Sequence, residues 1–321
     1  MNIKNKSILV SGGAGFIGSH LVDALIKEKP ETIVVVDNLF LGKKENLLEA
    51  RNNFPELKFY QEDASDFLKL KEIIQNHGIE SVFDLAVVPL LASLDRPCWT
   101  FKQNIEITTT ICELALNDYF KTLIHFSSSE VYGSSIYAPM DENHPLNGTT
   151  TYAASKAASD LLILSYYRSF GIDTSIIRPF NNYGPRQNER SYAGVIPVTI
   201  KRILNDEPPI IHGDGRQTRD YLFVTDTVDA AIKIHNSMNT RGKVLNIASG
   251  KEISIEYLVK YIAEYLHYTK KIVYDPERPA DVRRHIANIF MAEDLINFKQ
   301  KISFENGLEK TIDWYTSHLS R

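Results

Sequence analysis

The sequence predicts an α/β fold, a doubly wound parallel sheet with a second, smaller lobe, and three observations point to it. Short apolar runs alternate with stretches of helical periodicity over residues 1–177. The runs are apolar throughout rather than at every second position, as strands covered on both faces are. A glycine-rich turn, "SGGAGFIGSHL", joins the first run to the first helix.

In order, "SILV" reads as a strand, with a helix from about Phe16, and "TIVVVD" is followed by a helix in "KKENLLEARNN". "LKFYQED" leads to "FLKLKEIIQNH", and "SVFDLA" to a helix around "FKQNIEITTTICELALND". "TLIHFSSS" leads to a helix from about Tyr152, and "DTSIIRP" follows as a strand. Repeated units of this kind build a parallel sheet with helices on both faces. After Arg178, "NNYGPRQNERSYAGVIP" and "NDEPPIIHGDGRQTRDY" are rich in Pro, Gly, Asn and Arg, the composition of loops that face a partner lobe. "KVLNIASG" returns the chain to the sheet. The expected division is 1–177 as the first domain, re-entered at about 220–250, with 178–219 and 251–321 as the smaller lobe.

Bulk properties exclude several classes. A chain of 321 residues, 43% hydrophobic, has enough apolar content for a sizeable core. No apolar run is long enough for a membrane helix and "MNIKNKS" carries no secretory pattern, so the cytoplasm is the default location. A pI near 6.2 without Lys/Arg runs argues against nucleic acid. Cys98 and Cys112 form neither a CxxC pair nor a cluster with His, so no disulfide framework and no metal site are expected.

Three stretches carry chemistry. In "ILVSGGAGFIGSHLVDALI", Gly12 and Gly15 permit a tight turn and close approach to a pyrophosphate, and Gly18 permits close helix–strand packing. The helix N-terminus that follows favours phosphate. Asp37 ends the second strand, where a carboxylate accepts both ribose hydroxyls and repels a 2'-phosphate. That favours NAD over NADP; Lys43 and Lys44 nearby argue the other way. "FSSSEVYG" presents three hydroxyls, a carboxylate and a phenol at a strand end. If it stays extended, Ser128 and Glu130 point one way and Ser127 and Ser129 the other. In "TYAASKAASD", Tyr152 and Lys156 share one helix face. An ammonium beside a phenol lowers its pKa and makes it a usable base.

Together these stretches resemble the extended short-chain dehydrogenase/reductase family, in its nucleotide-sugar epimerase, dehydratase and decarboxylase branch. The resemblance runs over nearly the whole chain and implies a Rossmann domain and NAD as cofactor. "SGGAGFIGSHL" is similar to the family's dinucleotide fingerprint, with Ser11 where Thr is usual, which implies cofactor contacts from Gly12, Gly15, Phe16, Ile17 and Gly18. "VVDNL" resembles its ribose-binding strand end at Asp37 and Asn38, and "EDASD" its adenine contact at Asp63 and Ala64. "DLAVV" stands where the family has H-L-A-A, giving Leu85 and Ala86 as cofactor residues with Asp84 in place of His. Asn104, Tyr152 and Lys156 are further cofactor residues on the same resemblance. "RPFNNYGPR", "GDGRQTRDYLFVTD" and "RPADVRR" are similar to the substrate-lobe motifs. They place Ser128, Ser129, Asn181, Arg219, Arg278 and, near the base, His212 against the nucleotide sugar.

The implied reaction has Tyr152 as base, Lys156 holding it ionised and Ser128 bonding the reacting C4 hydroxyl, with hydride transfer to NAD giving a 4-keto sugar. Glu130 separates the branches. Dehydratases carry T-D-E-V-Y-G, an acid pair for removing water; decarboxylases resemble T-S-E-V-Y-G. "SSSEVYG" keeps the Glu and lacks the Asp, which argues against a standard dehydratase and leaves epimerase and decarboxylase open. The first expectation is 4-epimerisation of a UDP-hexose or UDP-hexuronate. The alternatives are a UDP-glucuronate decarboxylase, an unusual dehydratase, an enzyme that stops at the 4-keto sugar, and an NAD-binding regulator without catalysis. Helices around Ile105–Leu116 and Ala153–Phe170 are apolar on more than one face, and in relatives this pair forms a dimer interface, so a homodimer is expected.

Overall fold

A computed structural model describes residues 2–189, 193–277 and 282–319. Strand β1 (Ser7–Ser11) runs through the glycine turn into α1 (Phe16–Lys27) and back to β2 (Thr32–Val36). The expected helix in "KKENLLEARNN" is split into a 3-10 turn at Lys44–Leu47 and a short α2 (Leu48–Asn53). β3 (Leu57–Tyr60) follows, then α3 (Phe67–Asn76), whose N-terminus is capped by the Asp66 carboxylate accepting from Lys69 N. After β4 (Ser81–Asp84) come a short α4 (Leu90–Asp95), unforeseen in the sequence, and α5 (Pro97–Leu116), which starts at a proline suited to a first helical turn. β5 (Thr122–Phe126) leads to α6 (Thr151–Phe170), capped by Thr150 and closed by Gly171 in the left-handed region. β6 (Asp173–Pro179) completes this series.

Beyond it lie β7 (Asn181–Tyr183), α7 (Val195–Leu204), β8 (Ile210–His212), β9 (Thr218–Arg219), β10 (Tyr221–Phe223), α8 (Val224–Asn236) and β11 (Val244–Ile247). The chain ends through β12 (Ile253–Ser254), α9 (Ile255–Tyr265), β13 (Val273–Asp275), α10 (Phe290–Ile296) and α11 (Phe304–Leu319).

The main sheet has the order β11-β6-β5-β4-β1-β2-β3, every pairing parallel. The order reverses between β1 and β4, the place where open α/β sheets bind ligands at their carboxyl ends. Side-chain alternation divides the strands between two cores. Ile8 and Val10 of β1, Ile33 and Val35 of β2 and Phe83 of β4 pack with Leu21 and Leu25 of α1 and Val228 and Ala231 of α8. Leu9, Val34, Val82 and Leu123 face the other way, onto Ile73 of α3 and Ile107 and Ile111 of α5. Burial on both faces explains the unbroken apolar runs. A third core unites α7, α9 and α11 around Tyr183, Ile200, Ile211, Ile262 and Ile312. α10 instead packs into the first core through Ala292 and Ile296.

The extended reading of "FSSSEVYG" does not hold. β5 stops at Phe126, the Ser128 hydroxyl accepts from Glu130 N at 3.2 Å, and Ser129–Tyr132 form a 3-10 turn. Serine hydroxyls compete for nearby backbone N–H groups, and here that local bond ends the ladder. Ser127 and Ser129 are buried, whereas Ser128 and Glu130 are half-buried. Among the described residues no helix is long and apolar enough to cross a membrane, and no cluster of His, Cys, Asp and Glu could hold a metal.

Candidate active site

A cavity of about 720 Å³ opens at the carboxyl edge of the sheet, between it and the third core. Its cofactor end is lined by Gly12, Gly15, Phe16, Ile17, Gly18, Asp37, Asn38, Asp63, Ala64, Leu85 and Ala86, and its far end by Ser128, Ser129, Glu130, Tyr152, Lys156 and Asn181. Most of the residues singled out in the sequence therefore meet on one surface.

At the cofactor end the backbone leaves no room for side chains. Gly12 has φ +67°, and a Cβ there would lie 2.8 Å from the backbone at Leu85 and Ala86. A Cβ on Gly18 would lie 2.2 Å from Gly12 O, so only glycine lets α1 close against the turn. The Asp37 carboxylate accepts from Ala14 N at 3.0 Å and Leu39 N at 2.8 Å, and burial pushes its pKa up. Neither nearby lysine is aimed at the ribose position. Lys43 pairs with Glu189 at 2.7 Å and Lys44 lies over the Phe59 ring. Asp63 accepts from Ser65, Asn38 and Gln103; although burial acts against it, these bonds hold its carboxyl below the usual range. A bare turn, a helix N-terminus and one strand-end carboxylate, with Lys43 and Lys44 engaged elsewhere among the described residues, fit NAD.

At the far end the Ser128 hydroxyl is close enough to the Tyr152 phenol to act on its ionisation. Burial pushes that phenol up to about 12; Ser128 pulls it down, and the charges of Glu130 and Asp160 push it further up. The sequence argument expected Lys156 to lower it. Here Lys156 is turned inward, its Nζ 3.0 Å from His125 Nε2, and burial lowers its own pKa while Asp84 and Asp160 raise it. His125 Nδ1 lies 2.7 Å from Asp84 Oδ2, and Ser11 Oγ donates to Asp84 Oδ1 at 2.7 Å.

Other expected contacts fall elsewhere. Asn104 is not on the cavity wall: its amide accepts from Val88 N at 2.8 Å and donates to Val88 O and Ser155 Oγ, so its bonding capacity is spent holding the Val87–Val88 segment against α6. His212 and Arg219 are also absent from the wall. His212 closes β8, and Arg219 donates to Thr218 O and Val282 O. Arg278 lies outside the described residues. Three groups went unnoticed in the sequence. His285 is buried, tilted on the Phe180 ring at 4.9 Å, and lies 3.3 Å from Ser129 O. Asp220 accepts from Ser249 N and Oγ, Gly250 N and Ala287 N, joining three segments. His125 supports Lys156. Each sits in or beside a motif, but its partners are far away in sequence.

Comparison with known proteins agrees with this geometry. The family model described as GDP-mannose 4,6 dehydratase matches residues 9–311. The chain belongs to the nucleotide-sugar branch of the extended short-chain dehydrogenases/reductases. It is 35% identical to a putative UDP-glucose 4-epimerase of Methanocaldococcus jannaschii, over 96% of this chain and 97% of that one. A UDP-N-acetyl-alpha-D-glucosaminuronate decarboxylase of Bacillus cytotoxicus is 31% identical over 97% and 98%. Among solved structures, a UDP-N-acetylglucosamine 4-epimerase of Methanobrevibacter ruminantium is 37% identical over 98% and 99%, with TM-score 0.91. A dTDP-glucose 4,6-dehydratase of Streptomyces venezuelae, solved with NAD, is 27% identical over 98% of each chain, with TM-score 0.92. The protein is thus an NAD-dependent enzyme of the nucleotide-sugar epimerase, dehydratase and decarboxylase family.

Proposed function

We propose that the protein is a 4-epimerase of a UDP-hexose or UDP-hexuronate, working through a transient 4-keto sugar. One observation carries the choice over a dehydratase, and the epimerase relatives favour epimerisation over decarboxylation: among the described residues of the cavity wall, Glu130 is the only carboxylate at the Tyr152 end, the others being Asp37, Glu62 and Asp63 at the cofactor end. Position 129, where a dehydratase places its acid, is a buried serine. Elimination of water needs one group to remove a proton and another to protonate the leaving hydroxyl. Epimerisation needs a single acid–base group. The 4-epimerases of Methanocaldococcus jannaschii and Methanobrevibacter ruminantium reported above support this reading.

Gly12, Gly15 and Gly18 would hold NAD, which when bound would supply the hydride chemistry at C4. Ser128 bonds the C4 oxygen and relays its proton toward Tyr152, the base. With its phenol at about 12, Tyr152 ionises at neutral pH only when positive charge stands beside it, and Lys156 is the cation of the set. Asn181, which lines the cavity beside the Asp220 carbonyl, is assigned to the substrate phosphates on family resemblance. Arg219 and Arg278 are assigned to the same phosphates on family resemblance, and His212 to the base. We place the nucleotide-binding lobe at 178–219 and 251–321 with α10 docked on the first domain. Leu161 and Phe170 on α6 and Leu94 on α4 are exposed apolar side chains, which supports a homodimer through the α5–α6 face.

The test is mass spectrometry of products from UDP-glucose, UDP-N-acetylglucosamine, UDP-glucuronate and dTDP-glucose. A product of unchanged mass and altered retention supports epimerisation. Loss of carbon dioxide or water refutes it and makes Glu130 a participant in bond breaking. Tyr152→Phe should abolish turnover while binding NAD; Glu130→Gln should leave an epimerase largely active.

A further inference from the structure

Asp84, the clearest departure from the family pattern, has a partner the sequence did not suggest. Parallel register sets Ser11 beside Asp84 and Asp84 beside His125 across β1, β4 and β5. Alternation turns all three toward α5 and α6, on the face that carries Leu9, Val82 and Leu123. Ser11 is 0% exposed, Asp84 and His125 1% each, and Lys156 reaches them from α6 at 3%. No water competes for these bonds.

The hydrogen-bond directions then follow from the donor inventory. Asp84 is ionised: burial acts against it, yet His125, Lys156 and Ser11 together hold its carboxyl below the usual range. A carboxylate only accepts, so His125 Nδ1 carries the proton and donates. His125 is neutral, its pKa lowered by burial and by Lys156 against the pull of Asp84. Its Nε2 is therefore a bare acceptor, and Lys156 Nζ donates to it at 3.0 Å. An imidazole offers that lone pair in one direction within its plane, so it fixes where the ammonium sits as well as what charges it.

We propose that Asp84 and His125 are positioning residues for Lys156: the carboxylate sets the His125 tautomer, and His125 Nε2 sets the direction and sustains the charge of the ammonium that serves Tyr152. The inference rests on the roles given above to Tyr152 and Lys156. The other charged or titratable groups facing the chain are few. Cys112 of α5 has its thiol pushed well up by burial and stays neutral. Asp160 of α6 is paired with Arg178 Nε at 2.9 Å. Glu130 acts on Tyr152 from the cavity side. Asp84 is thus the carboxylate coupled to Lys156 through a shared hydrogen-bond partner. The same carboxylate holds Ser11 Oγ, which accepts from Leu85 N and Ala86 N at 3.1 Å and so ties the relay to the cavity wall.

The test uses the full-length, NAD-bound protein. Asp84→Asn removes the charge at nearly constant shape. Lys156, buried without its counter-charge, then loses protons more readily, and Tyr152 becomes harder to ionise. The acid limb of kcat/KM, read on UDP-glucose or on the sugar nucleotide the product panel identifies, should move up by about one pH unit. KM and NAD affinity should stay within about two-fold of native. His125→Gln should give the same displacement, and the double variant no more than either alone, because the two act in series. An acid limb that stays in place in Asp84→Asn, or losses that multiply in the double variant, would overturn the proposal. Should the variants fail to fold, histidine-selective ¹⁵N spectra of the native protein decide. Protonated Nδ1 and bare Nε2 in the imidazole assigned to His125, from pH 8 to pH 5, support it, and a protonated Nε2 at His125 overturns it. Tyr152→Phe run alongside separates the two failures: activity in that variant removes the base assignment itself, whereas an inactive Tyr152→Phe with an unshifted Asp84→Asn removes only the positioning role.

Discussion

Arg186→Ala should release NAD about five times faster than the native chain, and Arg186→Ala with Lys43→Ala about thirty times faster. The segment after β7 crosses from the smaller lobe to the glycine turn and is fastened there at three points. His20 Nε2 lies 2.9 Å from Pro185 O, Arg186 pairs with Asp23 at 2.6 Å, and Lys43 pairs with Glu189 at 2.7 Å. Gln187 and Asn188, between these fastenings, line the cavity together with Gly15 and Phe16. The factors stated apply where lifting this strap limits departure of the cofactor. In the first pair the side chains are 15% and 28% exposed, in the second 32% and 14%, so neither is a fully screened surface contact. Burial lifts the Asp23 carboxyl above its usual range in spite of Arg186, so that pair contributes little net attraction while Arg186 is present. Removing Arg186 leaves the half-buried carboxylate with no paired cation and only the weaker pull of Lys27, which is where the cost arises. About 1 kcal/mol for each pair gives the factors stated. Released NAD can be trapped by an alcohol dehydrogenase and followed as NADH fluorescence, in low and in high salt. Release from the double variant within two-fold of native, or native release that ignores salt, would refute the strap as the barrier.

Other perturbations test separate links. Burial lowers His235 and His285 from 6.5 to about 4, so both are neutral in the fold and their stability is fully present above pH 6.5 and lost as pH falls toward 4. The 2.5-unit difference amounts to roughly 3 kcal/mol for each, and urea unfolding at pH 7.5 and 4.5 should show it; a flat profile would contradict their neutral burial. Asp220→Asn turns an amide donor toward groups that already donate and should cost about 2 kcal/mol, read as a lower urea midpoint. Gly18→Ala must displace backbone at Gly12 and should weaken NAD binding by about ten-fold in calorimetry, whereas unchanged affinity would mean the turn can shift freely.

The sheet was legible because its strands are buried on both faces and its helices are periodic and capped. The elements that escaped are short and are stabilised by tertiary contacts rather than by pattern: α4 has six residues, and β9 and β12 have two each. The site was legible where one motif supplies both the residue and its geometry, as at Gly12 and Tyr152. It was misread where a local bond overrides periodicity. Ser128 capping Glu130 N turns "FSSSEVYG" out of the extended form from Ser129 onward, so strand alternation is not what separates buried Ser127 and Ser129 from half-buried Ser128 and Glu130. Asn104 shows another failure: the resemblance made it a cofactor residue, but its amide is consumed by Val88 and Ser155.

Asp84 shows why one departure from a motif cannot be interpreted by itself. Taken alone, a carboxylate at the end of a buried strand is a liability, because an uncompensated buried charge costs several kcal/mol. Its compensation is spread over Ser11, His125 and Lys156, respectively 73, 41 and 72 positions away along the chain, and only strand register and the docking of α6 bring them together. The imidazole that satisfies Asp84 also turns Lys156 inward. A substitution at 84 is then an electrostatic change at the Tyr152 end of the cavity made from behind the wall. Reinstating the family's residue, Asp84→His, would set a neutral or cationic ring against His125 and Lys156, and should reduce turnover more than Asp84→Asn does. Equal turnover in the two variants would show that the negative charge, rather than the hydrogen-bond geometry, is all that position 84 supplies.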